Sequence, residues 1–465
     1  MSDKIVVNTK VKNRLYKNNS WYGVTVEPTY ALYSLVETLS KYLYQNLLVQ
    51  KFCRGHLVAE PDLYTSCADE KSALEFVAFA NSWFLTLAMF ATVVYTMMAL
   101  SWSEKAGKRR KPLLYLPLVG MLLECGFAAL QSYYWHWPVS ITLILYVLVQ
   151  VFFGGRVCFA QTVYLYLTDI TNKTNRTARY GVIIAIRYFC LPIAYGISGL
   201  LMKSIGFFYS FFLCFVLTII AILFSLVLIR DVSVPVKEKL TFWHMINPMN
   251  CVESVKVMCK KRPQNKTAII LMLLLSYMLF SFTNEGELSV IFLYFRARFQ
   301  WDERYIGFYL AYKLFGMCVG TTICSILLSK YFKLEDSTIG ILIAITKIIG
   351  AICFLFAAEN WQLYIIPLID LYLAGGITVT RSFATKMLTS NEYGHFAALC
   401  SVSKITTPLG NFLYNFTFAK TVTLFPSGFF LISVILSLLI LFLICISHWL
   451  YKKHDSKTHE DTLIS

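Results

Sequence analysis

The chain has 465 residues, of which 57% are hydrophobic, 16% aromatic and only 15% charged, where a soluble globular protein carries about 25% charged residues. That excludes a water-soluble enzyme or binding domain and is the composition of a polytopic membrane protein. A formal charge of +16 would point to nucleic acid in a soluble domain, but here the basic residues fall in short connections between apolar runs. They report topology, and no nucleic-acid partner is expected.

Residues 1–25 form a polar tail with Lys4, Lys10, Lys12, Arg14 and Lys17 and no apolar run, which predicts no secretory signal and a cytosolic N-terminus. Apolar runs long enough to cross about 30 Å of hydrocarbon follow near 26–47, 74–100, 113–133, 138–160, 179–203 and 206–229. Six more lie near 268–295, 304–330, 337–357, 361–386, 395–418 and 425–450. They are too long and too uniformly apolar for barrel strands, so the fold expected is an all-α membrane protein with twelve transmembrane helices. With the N-terminus inside, the connections on that side hold 27 Lys and Arg against 8 outside, which sets the orientation and puts the C-terminal tail, 451–465, in the cytosol as well.

The longest inside connection, 230–267, divides the spans into six-helix halves, 26–229 and 268–450. This is the layout of a transporter with a midplane site between its halves. Within the connection, Asn250 to Arg262 has an N-cap candidate in Asn250, apolar Val252, Val255 and Met258, and a basic end. It predicts a short helix lying on the cytosolic leaflet. Of the 13 cysteines, Cys53 and Cys67 lie in the polar loop 51–71 on the outside, where a disulfide staple persists. No cysteine or histidine spacing predicts a metal site, and no phosphate loop or nucleophile predicts an enzyme or an ATP-driven pump.

Charges inside the apolar runs are costly and mark cavities or partners. The acids are Glu37, Glu124, Glu285, Glu287 and Asp370, and the bases are Arg156, Arg187, Lys313, Lys347, Arg381 and Lys404. The excess of one base favours an anionic substrate. Glu37 and Lys41, four residues apart, form one candidate pair, and Lys347 with Asp370 another. Arg156, after Gly154 and Gly155, is a candidate lock between halves. Glu285 and Glu287 are turned about 200° from each other on a regular helix, so only one faces a given cavity. Gly286 between them admits a broken helix. Glu287 shares a face with Asn284 and is the expected path residue; a fixed bridge to Lys313 or Arg381 is the alternative.

The loop Ser101-Trp-Ser-Glu-Lys-Ala-Gly-Lys-Arg-Arg-Lys-Pro112 resembles the Asp-x-x-Gly-Arg-Arg signature of the major facilitator superfamily. Glu104 stands for the acid, Gly107 for the turn, and Lys108 with Arg109 for the basic pair. Further landmarks are Val26-Glu-Pro28, Trp102-Ser-Glu104 with Pro112-Leu-Leu114, and Thr168-Asp-Ile-Thr171 before Arg176 and Arg179. Others are Phe292-Leu-Tyr-Phe-Arg296 with Phe299-Gln-Trp-Asp302 and Ile306-Gly307, and the stretch Arg381 to Gly394 with Lys386 and Glu392. Together they resemble solute carrier family 46, the proton-coupled folate transporter family, and most closely its insect-type members. The resemblance implies a twelve-span symporter of organic anions, with folates, cyclic dinucleotides and muropeptides among the substrates. The folate transporter's seventh-span His aligns with Asn284, its fifth-span Glu falls near Ile184, and its tenth-span Arg is Arg381.

The expectation is therefore proton-coupled transport of a small organic anion by alternating access, in a monomer at the plasma or endolysosomal membrane, without cofactor or metal. Glu287, Glu285, Asn284, Arg381, Arg156 and Lys404 are the candidate substrate or coupling residues, and Arg381 is the one expected to contact the substrate anion. The alternatives are a drug/proton antiporter, which needs a net acidic cavity, and a non-transporting membrane sensor, which needs a larger extramembrane region for partners.

Overall fold

The computed structural model describes residues 24–54, 70–230, 232–235, 241–301 and 303–464. The first half contains α1 (Glu27–Arg54), α2 (Glu70–Lys105), α3 (Lys111–Tyr133), α4 (Val139–Phe153), α5 (Gly155–Ile170) and α6 (Arg176–Leu228). A short α7 (Met249–Cys259) lies in the connection. The second half contains α8 (Lys266–Phe299), α9 (Glu303–Thr322), α10 (Asp336–Phe356), α11 (Asn360–Ile369), α12 (Leu373–Met387), α13 (Tyr393–Ser401), α14 (Thr406–Thr421) and α15 (Phe430–Ile464).

Backbone geometry turns these helices into twelve crossings. At about 1.5 Å per residue, the 53 residues of α6 are far too long for one bilayer. Gly206, at φ 76° and ψ −180°, lets the chain reverse with almost no loop, because an L side chain there would be strained. The fourth crossing is split into α4 and α5 at Gly154 and Gly155, both at positive φ. The tenth is split at Asp370–Tyr372 and the eleventh at 402–404. Nine of the described helical segments are long and apolar enough to span on their own. The α6 segment supplies two crossings, and α1 and the α13–α14 pair complete the twelve.

Each half has its own apolar core. In the first, α1 lies along the first part of α6 and buries Tyr30, Tyr33, Val36, Leu43 and Leu47 against Phe159, Ile183 and Phe207. In the second, Tyr294, Phe295, Tyr309, Phe354, Tyr414, Phe429 and Phe430 interlock, with Phe354 stacked on Phe430 at 4.7 Å. Burying aromatic bodies of this size dominates packing, with about 0.5–1.5 kcal/mol per pair beyond area burial.

One end of the bundle carries the loop after α2 and the connection with α7, and is called the basic end below. The predicted short helix is present as α7, but its inner face is Asn250, Ser254 and Met258. Val252 and Val255 point outward. Asn250 sits inside the helix with its amide donating to the His244 and Met245 carbonyls, so Pro248 rather than Asn250 occupies the cap. Cys53 is disulfide-bonded, and Cys67, its expected partner, lies outside the described residues.

Candidate functional site

The charges at depth sort into three groups. The first is sealed inside the second half. Glu287 of α8 takes both oxygens to Lys347 Nζ of α10, at 2.7 and 2.6 Å, and Lys347 lies 3.8 Å from Asp370. Lys313 is buried beside them with its ammonium 5.5 Å over the Phe354 ring. The side chains of Glu287, Lys347 and Asp370 are only 2–4% exposed. Two acids and two bases cancel, which is the condition for burying ions in a low dielectric. The expected partnership of Lys347 with Asp370 is present, with Glu287 as the nearer carboxylate.

A second group faces the space between the halves. Glu285 accepts from Lys404 Nζ at 3.3 Å, and Glu37 lies 3.4 Å from Arg156 Nε. Side-chain exposure is 31% for Glu285, 24% for Lys404, 26% for Arg156 and 17% for Glu37. At mid-span, that exposure means a solvent-open cavity rather than a packed core. Arg187 and Lys41 lie within electrostatic range of Glu37 and Glu285. Four bases therefore surround two acids, and both halves contribute. Asn284, one residue from Glu285, donates to the Tyr188 hydroxyl of the first half at 3.4 Å.

These placements correct four expectations. Glu285, not Glu287, is on the cavity, because α8 turns Glu287 into the second half, where Lys347 holds it. Arg156 pairs with Glu37 inside the first half instead of locking the halves, and it takes Glu37 from the predicted Lys41 partner. Arg381 is 2% exposed. It donates to Gln161 Oε1 at 2.6 Å and stacks over Tyr164 at 4.4 Å, in the sealed region toward the basic end. Its neighbour Tyr277 sits about 12 Å along α8 from Glu285 by helix rise. In this conformation Arg381 joins the halves beneath the cavity rather than lining it.

The third group closes the basic end. Glu104 Oε2 accepts from Arg110 Nη2 at 2.6 Å and, across the halves, from the Gly394 amide at 2.9 Å. Arg110 Nε donates to Asp169 Oδ2 at 2.9 Å, and Lys108 reaches the other oxygen at 3.4 Å. Gly107, at φ 78°, makes the turn that brings them together. Arg109 points outward, so Arg110 is the guanidinium of the loop. Burial disfavours the charged Arg110, but Asp169 and Glu104 outweigh it and hold the guanidinium protonated more firmly than usual. Opposite, Asp336 accepts from Thr177 at 2.9 Å and pairs with Lys386 at 2.7 Å. Arg176 donates to the Thr385 carbonyl at 3.0 Å and lies over the Tyr393 ring.

The residues missed in this lock are Arg110, Asp169, Arg176, Thr177 and Asp336. A signal was present, since Asp169 and Arg176 flank the connection after α5 much as Lys386 and Glu392 flank the one after α12, six crossings later. The hydrogen bonds and ion pairs just described between the halves run from the basic end up to Asn284 and Tyr188. No cluster of three or more His, Cys, Asp or Glu able to hold a metal occurs among the described residues.

A twelve-crossing, two-half bundle closed at one end over a charged mid-depth cavity is the architecture of a secondary transporter. The sequence profile of the Major Facilitator Superfamily matches residues 71–404, and the chain belongs to that superfamily. Within it, the curated proteins to which the chain is similar are members of solute carrier family 46. The lysosomal proton-coupled steroid conjugate and bile acid symporter SLC46A3 of Gallus gallus is 24% identical over 442 residues, 90% of this chain and 93% of the relative. The probable peptidoglycan muropeptide transporter SLC46 of Drosophila melanogaster is 22% identical over 382 residues, 76% of this chain and 70% of the relative. Among solved structures, the human organic anion transporter MFSD10 (TETRAN) superposes with a TM-score of 0.66 at 12% identity, covering 90% of this chain and 98% of that one. The transporter FucP in the outward conformation gives 0.61 at 11% identity, covering 90% and 98%.

Proposed function

We propose that this protein carries an amphipathic organic anion across an endolysosomal or plasma membrane together with protons, as a monomer working by alternating access. The observation that carries the reading is the solvent-open cluster of Lys41, Arg156, Arg187 and Lys404 around only Glu37 and Glu285. A cavity with two surplus positive charges attracts carboxylates, sulfates or phosphates, which Arg holds bidentately. It opposes the cationic drugs of an antiporter. The transporter relatives also favour transport over a sensor or an enzyme.

With both termini in the cytosol, the closed basic end is the cytosolic gate and the cavity faces the lumen or exterior. In the coupling step, a proton taken up by Glu285 neutralises the carboxylate and frees the Lys404 ammonium for the substrate anion. Anion and proton then occupy the site together, and the electrostatic cost of carrying either alone is avoided. Loading relaxes the Asn284–Tyr188 contact and the lock of Glu104, Arg110 and Asp336, and the halves rock about the site.

The test is uptake of labelled taurocholate, estrone sulfate and muramyl dipeptide by proteoliposomes under an inward proton gradient and without one. Gradient-stimulated uptake of at least one, lost in Glu285→Gln, is the expected result. Lys404→Gln removes one charge-assisted contact of about 1.5–3 kcal/mol, so the KM should rise about 10- to 100-fold at about 1.4 kcal/mol per decade. Uptake that ignores both the gradient and Glu285→Gln would overturn the coupling role.

A further inference from the structure

Among the described residues, Glu124 of α3 is the carboxylate at depth that neither the mechanism above nor the sealed cluster of Glu287, Lys347 and Asp370 takes up. It is 92% buried, at 8% exposure, and its Oε2 accepts from the neutral amide of Gln150 at 2.6 Å. Among the described residues no cation forms an ion pair with it. Tyr33, Glu37 and Tyr44 of α1 and Tyr146 of α4 lie within electrostatic range of it, as does the next residue, Cys125, which is hydrogen-bonded to Cys214 of α6. Arg156 of α5 is engaged by Glu37.

Two narrow clefts meet at this carboxylate. One, lined by Tyr44, Gln131, Thr142 and Tyr146, extends toward the end opposite the basic end. The Thr142 hydroxyl is buried there without a hydrogen-bond partner among the described residues. The other, lined by Tyr33, Gly120, Gln150 and Gly155, is too tight to hold a water and ends at Gly155, the residue before Arg156. A side chain on Gly155 would occupy the space of the Gln150 amide, so the break between α4 and α5 makes room for the group that holds Glu124. Tyr33 lies within electrostatic range of Glu124, Glu37 and Arg156 together.

We propose that Glu124 is a second proton-binding site, filled from the lumenal or external water through the first cleft, which hands its proton to Glu37. The transfer moves one proton and breaks no other bond. Glu37 becomes neutral, Glu124 is left to be refilled, and Arg156 loses its counterion and turns to the substrate anion. The route runs inside the first half, beside the substrate cavity, and so delivers a proton without crossing the anion's path. It rests on the proton-coupled reading above and adds a separate carrier to it.

Infrared difference spectroscopy of the purified chain tests the site without any substrate. A carboxylic acid C=O band should be present at neutral pH, be lost in Glu124→Gln and survive in Glu285→Gln. A band unchanged by Glu124→Gln, or absent from the wild type, overturns the proposal. If Glu124→Gln fails to give a monodisperse protein, Gln150→Leu keeps the carboxyl and removes its donor. The band should then shift in frequency and titration midpoint, and an unmoved band is again fatal. In proteoliposomes with labelled taurocholate, Glu124→Gln should retain exchange and lose accumulation driven by a proton gradient. A wild type that does not move taurocholate, estrone sulfate or muramyl dipeptide defeats the transport reading, while the infrared band still decides the role of Glu124.

Discussion

Glu285 and Glu287 are two residues apart on α8 yet occupy different surroundings, and their substitution should separate stability from transport. Removing one partner of a buried ion pair leaves the other charge uncompensated and costs about 3–5 kcal/mol. Glu287→Gln should therefore lower the apparent unfolding temperature in detergent sharply, because Lys347 keeps only Asp370 at 3.8 Å. Glu285→Gln, at a group already 31% exposed, should leave that temperature close to the wild type while abolishing the proton-gradient effect on uptake. Equal unfolding temperatures for the two variants would contradict the assignment of faces. The sequence made the opposition of these glutamates legible, since their angular offset follows from helix pitch alone. It did not make legible which of them faces the cavity. That depends on Lys347 and Lys404, 60 and 119 residues further on, and a single chain carries no mark of such pairings. Asn284 pointed to Glu287 by spacing, but Asn284 and Glu285 are adjacent residues on the rim of one wide face.

At the scale of elements, α7 is tied to both halves at the gate. It meets the first half through Lys105, which pairs with Glu253 and donates to Asn250 Oδ1 at 3.1 Å. It meets the second through Ser254, 3.2 Å from His395 Nδ1, a ring that Ser101 of α2 also approaches at 3.3 Å. Just beyond it, Arg262 donates to Glu392 at 2.9 Å. Burial pushes the Glu392 carboxyl up, but the Thr389 amide and Arg262 outweigh it and hold it below the usual range. Such a carboxylate stabilises the fold above its unfolded pKa and loses that contribution as pH falls through the folded value, so this clamp is at full strength at neutral pH. Asn250→Ala removes three polar contacts from a buried side chain, a loss of about 1–3 kcal/mol. The expected outcome is faster hydrogen exchange across 242–262 with little change in the transmembrane helices; exchange unchanged in that segment would show α7 to be held by its apolar face alone. The periodicity of this segment gave a helix with Val252 and Val255 on a face that points outward, the face a lipid surface accommodates, but not the inner face of Asn250 and Ser254, whose partners include Lys105 and His395, far off in sequence. Apolarity alone does not tell protein from lipid at an interface.

For the whole molecule, the two-half division and the twelve crossings were readable from hydropathy and the long connection, because an apolar segment has few alternatives in a bilayer. The gate was readable only in part, since its partners come from loops far apart in sequence and are brought together by the docking of the halves. That docking has a consequence that can be measured. Thr177 Oγ1 and Ser382 Oγ, on α6 and α12, are 2.7 Å apart, so cysteines at both positions should join under mild oxidation, with the link identified by peptide mass mapping. Alternating access requires this contact to open once per cycle. The oxidised Thr177→Cys, Ser382→Cys protein should lose net uptake and exchange alike and recover both on reduction, while still binding the transported anion from the side of the open cavity. Each single variant should transport under oxidant, which separates the cross-link from the substitutions. A fully cross-linked protein that still exchanges its anion would mean that the halves do not part at the basic end, and the assignment of that end as the moving gate would fail with it.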